Sequence, residues 1–365
     1  MAARPERHSI LGASSAHRWL NCTASIKACE GLPDNTSADA QKGTEVHELC
    51  AYELSKLVRV WPTGLEPEKP NYNYTADDER NAKGYAEYIK NLVTEDSAVM
   101  IEQKVDFSEY TAEGGFGTAD CIIINDTDIH VVDYKNGVGV KVSAYKNPQM
   151  MLYALGAYAT FKEVYENIKT VTMTIYQPNV ENISTYQVSI EELLSAAEEV
   201  FIPKAHEAIE GRGEFKKGEW CRFCKAKGTC KKYSEEFMHI LKEFNDQMGE
   251  TQTLTDEEIL TLLTHGDEIT AWIKDVKEYA FNCAKAGKKW EGFVIKPGRA
   301  VRKYVDEAEV AKKLYAIGVE PYEHINKIKT LTAIEKELGK KKVEELIGGL
   351  LMRVPGKEGL VKVDD

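Results

Sequence analysis

"TADCIIINDTDIHVVDYK", residues Thr118 to Lys135, decides how this chain folds. Two runs rich in Ile and Val flank the turn signal "NDTD", so the stretch reads as a β-hairpin. Strand side chains alternate between faces. Asp120 therefore shares a face with Ile122 and Ile124, and Asp133 shares one with Val131 and Lys135. A loop at Asn125 to Asp128 sets Asn125 opposite Asp128, and the same register carries Asp120 opposite Asp133. Directly opposed residues have Cβ atoms about 4.5–5.5 Å apart. Two like charges there are destabilising unless something positive sits between them, and a hard divalent cation with oxygen ligands suits that place. Lys135, two residues along the same face, reaches the same region.

Working outward, "AVMIEQKVDF" before the hairpin is a third strand, and "TVTMTIYQP" and "ISTYQVSI" after it are two more. "NPQMMLYALGAYATF" is a helix, with Asn147 as N-cap and Pro148 at the first helical position. Upstream, "ASSAHRWLNCTASIKAC", "DAQKGTEVHELCAYELSKLVRV" and "DDERNAKGYAEYIKNLVTE" read as helices, and "GLEPEKPNYNY" reads as a loop. In the second of these helices His47, Cys50, Ala51, Leu54 and Val58 fall on one face. "EELLSAAEEVFIPKAHEAIEG" is a further helix. The order implies an α/β core with a mixed sheet. After "CRFCKAKGTC" the chain reads as mainly helical, with "WEGFVIKPGRAVRKY" as a short hairpin and "TAIEKELGKKKVEELIGGLL" as a closing helix. A domain boundary is expected near Lys231 to Thr255.

The chain has 365 residues, 43% hydrophobic and 29% charged, which allows a sizeable core and more than one domain. No apolar run reaches membrane-spanning length. The start lacks a continuous apolar h-region, so the expected location is the cytosol. Eight cysteines in that compartment serve as ligands or core residues rather than as disulfides. A net charge of −12 argues against a nucleic-acid partner. Yet from Lys285 to Lys362, 18 Lys and Arg stand against 11 Asp and Glu. That basic segment reads either as a nucleic-acid footprint or as a solvated lysine-rich helical face.

The hairpin carries the pattern D-x₁₂-D-x-K, with Gly-x-x-x-His upstream and Gln-x-x-x-Tyr downstream. The parts in order are Gly43 and His47, Gly117 and Asp120, Asp133 and Lys135, Gln149 and Tyr153. This set resembles the PD-(D/E)XK nuclease superfamily, in its RecB-like and AddB-like branch. The resemblance covers about Ser14 to Tyr233. It implies a restriction-endonuclease-like core, with a mixed central sheet flanked by helices. It also implies that His47, Asp120 and Asp133 hold Mn²⁺ or Mg²⁺. Asp120, Asp133, Lys135, Gln149 and Tyr153 would form the catalytic set. Without the resemblance, a histidine on an apolar helix face reads as a satisfied core residue. Glu102, on the preceding strand, is either an accessory acid or a solvent-facing residue.

"CRFCKAKGTC" holds Cys221, Cys224 and Cys230 at C-x₂-C-x₅-C spacing, one thiolate short of a four-ligand site. It resembles the downstream part of the [4Fe–4S] site in AddB-like and CRISPR-associated RecB-like nucleases, whose first cysteine lies far upstream. Cys22 occupies that place, with Thr23 where the family often has proline, and Cys29 competes for it. The rival is zinc, with His206 or His239 among the ligands. Cys50, Cys121 and Cys283 read as small apolar core residues. Such a site would clasp the N-terminal helix to the far end of a nuclease domain.

The resemblance implies a metal-dependent DNA exonuclease, acting on single-stranded DNA or DNA ends in phage replication or recombination. Residues 1–233 would form the nuclease domain and 234–365 a mainly helical C-terminal region, basic from about 285. The alternatives are an endonuclease of the same fold and a catalytically silent DNA-binding scaffold. No Gly-x-x-x-x-Gly-Lys-[Ser/Thr] loop occurs, which argues against an ATP-driven helicase.

Overall fold

The structure is a computed structural model and describes residues 9–32, 38–58, 67–247, 253–324 and 327–362. Arg59, Val60, Met248 and the first residues of the expected loop from Gly64 lie outside these. The chain forms two compact units, Met1–Ile269 and Thr270–Asp365.

The first unit opens with short helical pieces: a 3₁₀ turn, Ala13–Ser15, then α1 (Ala16–Asn21) and α2 (Ser25–Cys29). A single helix was expected over this stretch. It breaks because Cys22 leaves helical geometry (φ −129°, ψ 83°) and the following residues bond elsewhere. Ala24 N–H donates to the Glu214 carbonyl at 3.4 Å, and Glu214 N–H donates to Thr23 Oγ1 at 3.1 Å. Two helices follow, α3 (Ala38–Val58) and α4 (Ala76–Lys90). The latter starts at a capping box between Thr75 and Asp78, which satisfies two otherwise unpaired groups.

Five strands then build one sheet: β1 (Ala98–Asp106), β2 (Phe116–Ile124), β3 (Asp128–Tyr134), β4 (Thr170–Gln177) and β5 (Asn182–Ser189). They lie in chain order. All neighbours are antiparallel except β3 and β4, which are parallel. A parallel pair needs a crossover, and α5 (Pro148–Phe161) supplies it between them. Asn147 caps that helix, its side chain accepting from Gln149 N–H and Met150 N–H. The mixed α/β core expected from the strand pattern is therefore present.

Alternation along the strands feeds two apolar layers. Cys121, Ile123, Val132 and Tyr134 pack with Val46, Leu49 and Leu54 of α3 and Tyr85 and Ile89 of α4. Ile122, Ile124, Val131 and Met173 pack with Met150, Leu152 and Leu155 of α5. That second layer also takes Trp19 of α1 and side chains of α6 (Ile190–Ala196) and α7 (Ile202–Ile209), which a π turn, Ala197–Phe201, joins. Helix α8 (Lys231–Gln247) follows the cysteine segment, and α9 (Asp256–Lys285) runs into the second unit.

The second unit has a small core of Val310, Leu314, Ile334, Val343 and Ile347. These come from α10 (Glu307–Tyr315), α11 (Leu331–Leu338) and α12 (Lys340–Ile347). The expected short hairpin at 290–304 is instead one long strand, β6 (Phe293–Tyr304). After the small pair β7 (Tyr322–His324) and β8 (Lys327–Ile328), the partner of β6 arrives as β9 (Leu351–Lys362). Pro297 and Gly298, a pair that locally favours a turn, here form an irregularity in the ladder. The closing helix is interrupted at Gly339, whose φ of 82° suits glycine. Among the described residues, no helix is long and apolar enough to cross a membrane.

Candidate metal centre

The ladder between β2 and β3 pairs residues in unbroken register from Ile124↔Ile129 to Cys121↔Val132. One step further, Asp120 falls opposite Asp133, where the strands part. Tyr134 N–H donates to Asp120 Oδ2 at 2.7 Å, so a carboxylate replaces a backbone partner. Asp120 Oδ1 lies 3.2 Å from His47 Nδ1, although His47 sits on α3 in the opposite layer. The His47 ring meets the Tyr134 ring edge-on at 5.5 Å, which fixes its plane.

Glu102 of β1 completes this side. His47, Glu102 and Asp120 offer ligand atoms that all lie within 4.8 Å of one another. The β1–β2 ladder pairs Ile101 with Cys121 and Gln103 with Ala119, and skips Glu102. Glu102 has φ +50°, a left-handed backbone in mid-strand. For a residue with a Cβ this holds on the order of 1–3 kcal/mol of strain. Glu102 is exposed to solvent and also lies beside His47 and Asp120.

The other side is a chain of polar contacts. Lys135 Nζ lies 2.8 Å from Asp133 Oδ2 and donates to Gln149 Oε1 at 3.0 Å. Gln149 Nε2 donates to Asp133 Oδ1 at 3.4 Å and to Tyr153 Oη at 3.2 Å. Gln149 and Tyr153 sit one turn apart on α5, as their spacing requires. Gly117 has a packing reason: a Cβ there would meet Tyr153 Cε1 at 2.8 Å. Gly43, one turn before His47 on α3, faces open space within 4 Å. A helix glycine costs about 1 kcal/mol against alanine, so its openness calls for another reason than packing.

The electrostatics have one sign. Burial would lower His47, yet the Asp120 charge outweighs it and raises its pKa. Desolvation, then the Asp120 charge, pushes Glu102 up to about 7. Burial pushes Asp133 up, with Lys135 opposing and Asp120 adding. Burial would lower Lys135, but Asp133 more than compensates and raises it. His47 and Lys135 hold their protons because of neighbouring carboxylates, whereas Glu102 and Asp133 hold theirs first through desolvation, with the Asp120 charge adding. Imidazole and carboxylate oxygens within reach of one another suit a hard divalent cation, so the residues fit such an ion.

The cysteines gather elsewhere in the same unit. Cys22, Cys221, Cys224 and Cys230 line one cavity, together with Arg18, Lys216, Lys217 and Lys227. Lys216 N–H points at Cys22 Sγ at 3.4 Å. Four thiols around one cavity, with cationic side chains and a backbone donor beside them, fit an anionic thiolate-bound cluster. No three of these sulfurs join a ligand group within 4.8 Å among the described residues. Cys29 does not line the cavity; its Sγ lies 3.8 Å from Cys224 Sγ and accepts from Arg18 Nη1 at 3.4 Å. The contact with Cys224 draws the Cys29 thiol down to about 6, against desolvation, with Arg18 helping.

His206 and His239 lie against Glu210 and Glu243 on their own helices and do not line the cavity. Thr23 ties the segment down: its hydroxyl donates to Glu207 Oε1 at 2.9 Å. Gly213 admits this approach, since a Cβ there would lie 2.4 Å from Ala24 N. Cys50 and Cys121 are buried in the core, and Cys283 is half-buried.

Fold and site together define an α/β protein in which His47, Glu102 and Asp120 form a group that could hold a cation, beside Asp133 and Lys135 on a mixed sheet. The chain belongs to the family described as "Protein of unknown function (DUF2800)", whose profile matches residues 8–365. Among solved structures, it is similar to an alkaline exonuclease (LHK-Exo) from Laribacter hongkongensis. The two share 12% identity, covering 64% of this chain and 97% of that one, with a TM-score of 0.23. It is also similar to SSO0001, at 11% identity, covering 60% of this chain and 96% of that one, with a TM-score of 0.25. Both likenesses are faint.

Proposed function

We propose that this chain is a metal-dependent deoxyribonuclease of the PD-(D/E)XK type, working as an exonuclease on single-stranded DNA or DNA ends. The observation that carries the reading is the convergence of His47, Glu102 and Asp120 beside the Asp133–Lys135–Gln149–Tyr153 chain. His47, Asp120 and Asp133, with Glu102, would hold Mg²⁺ or Mn²⁺. When bound, such an ion polarises the phosphate and makes its water a better nucleophile. Lys135 keeps its proton, and its ammonium orients water or stabilises charge developing on phosphate. Gln149 holds Lys135 and Asp133 in place, and Tyr153 holds Gln149. The open surface at Gly43 leaves room for substrate beside His47.

Residues 1–233 would act as the nuclease domain and 234–365 as an accessory region. Cys22, Cys221, Cys224 and Cys230 would hold a [4Fe–4S] cluster that clasps the start of the domain to its end. Closing so long a loop removes entropy from the unfolded chain. The setting expected from the resemblance is phage replication or recombination in the host cytosol. The test incubates anaerobically purified protein with Mn²⁺ and labelled linear, circular and single-stranded DNA. Exonuclease action degrades the linear and single-stranded forms and spares the circles. Cut circles identify an endonuclease. Binding without cleavage, unchanged by Asp120→Asn, rejects the enzyme and leaves a scaffold.

A further inference from the structure

We propose that the β6–β9 ribbon is a DNA-binding arm that lies in a duplex groove and grips its phosphate backbone. The choice of DNA among polyanions rests on the nuclease reading; the anion-binding surface does not. The two strands carry seven Lys and Arg and one acid, Glu358. The rest of the segment from Lys285 to Lys362 carries 11 basic and 10 acidic residues. The conspicuous lysines Lys340, Lys341 and Lys342 open α12, which Glu344 and Glu345 balance within a turn. The basic excess of the C-terminal segment is therefore a property of the ribbon rather than of the helices.

Its cations are also available. Lys296, Arg299, Lys303 and Arg353 are exposed, and no ion pair or hydrogen bond holds their side chains among the described residues. Arg302 behaves differently. It pairs with Glu335, and Glu344 lies 3.7 Å away, so it anchors the ribbon to α11 and α12. Arg302 stands directly across from Arg353 in the ladder. Like charges so placed repel unless an anion intervenes. One of the two is neutralised internally, and Arg353 is left for an external anion.

Shape agrees with charge. Nearly every residue of β6 is exposed, so among the described residues most of that strand has no covering layer, although its end at Tyr304 packs on the core. The major groove of B-DNA admits a two-stranded ribbon. From Lys296 to Lys303 the strand spans roughly 23 Å at about 3.3 Å per residue, enough to pass several phosphates. The irregularity at Gly298 adds local twist.

The test is anisotropy of a labelled duplex with full-length protein in EDTA, so that nothing is cut, over a range of salt. The variant combines Lys296→Gln, Arg299→Gln, Lys303→Gln and Arg353→Gln, all at exposed positions, with melting as a check on folding. Each lost phosphate contact removes about 0.9 from the slope of log K against log salt. The expected result is a slope flattened by about 3 to 4, and weaker binding. Lys340→Gln/Lys341→Gln/Lys342→Gln serves as the control and should keep the wild-type slope. An unchanged slope in the ribbon variant overturns the proposal, as does equal flattening in the control. Tighter wild-type binding to single strands, or to anionic phosphatidylserine vesicles, than to duplex also overturns it. Cleavage by a ribbon variant with an unchanged slope leaves the nuclease standing. A flattened slope with no Mn²⁺-dependent cleavage leaves the ribbon standing.

Discussion

Asp133→Asn should separate catalysis from stability. Asp133 is 2% exposed, and burial raises its pKa above the unfolded value. A group raised in this way contributes stability that is full below its unfolded pKa of 3.8 and is lost as pH rises through the higher folded value. At neutral pH the metal-free wild type therefore carries a strain that asparagine removes. Relief of the opposition to Asp120 is worth about 0.2–1 kcal/mol, the scale of one cross-strand like-charge pair. Against this, Lys135 loses its partner at 2.8 Å; its side chain is 27% exposed. A partly solvated pair of that kind contributes about 0.2–1 kcal/mol. The two nearly cancel, so melting in EDTA should move by less than roughly 4 °C. Mn²⁺ is the contrast. At a hundredfold excess over Kd it stabilises wild type by about 2.7 kcal/mol, a rise of about 5–10 °C. Asp133→Asn should lose most of that rise, and cleavage with it. Melting with and without Mn²⁺, calorimetric titration and a nuclease time course read the three quantities. A variant that keeps the full Mn²⁺ rise and cuts at the wild-type rate would show that the site is wrongly assigned. A fall of more than about 10 °C in EDTA would make Asp133 a structural partner of Lys135 instead.

Lys135→Ala should retain Mn²⁺ binding by calorimetry while cleavage falls by about a hundredfold or more, because the ammonium acts on water and phosphate. Cys22→Ala, Cys221→Ala, Cys224→Ala and Cys230→Ala should each bleach the broad visible absorption of anaerobically purified protein and lower its melting temperature, whereas Cys29→Ala should keep its colour. Stoichiometric zinc without iron or sulfide would rule the cluster out. His130, whose ring bonds to Thr174 Oγ1 at 2.8 Å, has its pKa lowered by burial. Its contribution to stability is present above the unfolded value near 6.5 and fades as pH falls through the folded value, so His130→Gln should flatten that part of the acid limb in melting curves.

What the sequence discloses depends on how far apart the deciding partners lie. The hairpin register from Asn125↔Asp128 toward Asp120 and Asp133 is local, and alternation alone carries it. The Asn147 cap and the Gln149–Tyr153 turn are local too. Glu102 is not, because alternation cannot announce a left-handed backbone that interrupts a ladder without inserting a residue. The ribbon is further out of reach. Pro297 and Gly298 carry a turn's local signature, and the strand that overrides it begins at Leu351. Cys22 and Cys29 both stand at plausible spacing, and what distinguishes them is where the helix breaks. That break depends on Thr23 meeting Glu207, 184 residues away, and on Gly213 having no side chain. The position that departs from the resembled pattern is thus one that helps hold the cavity's first wall. Substituting proline at 23 would remove the hydroxyl that accepts from Glu214 N–H and donates to Glu207, so the tie between the start of the unit and residues 207–214 would be lost.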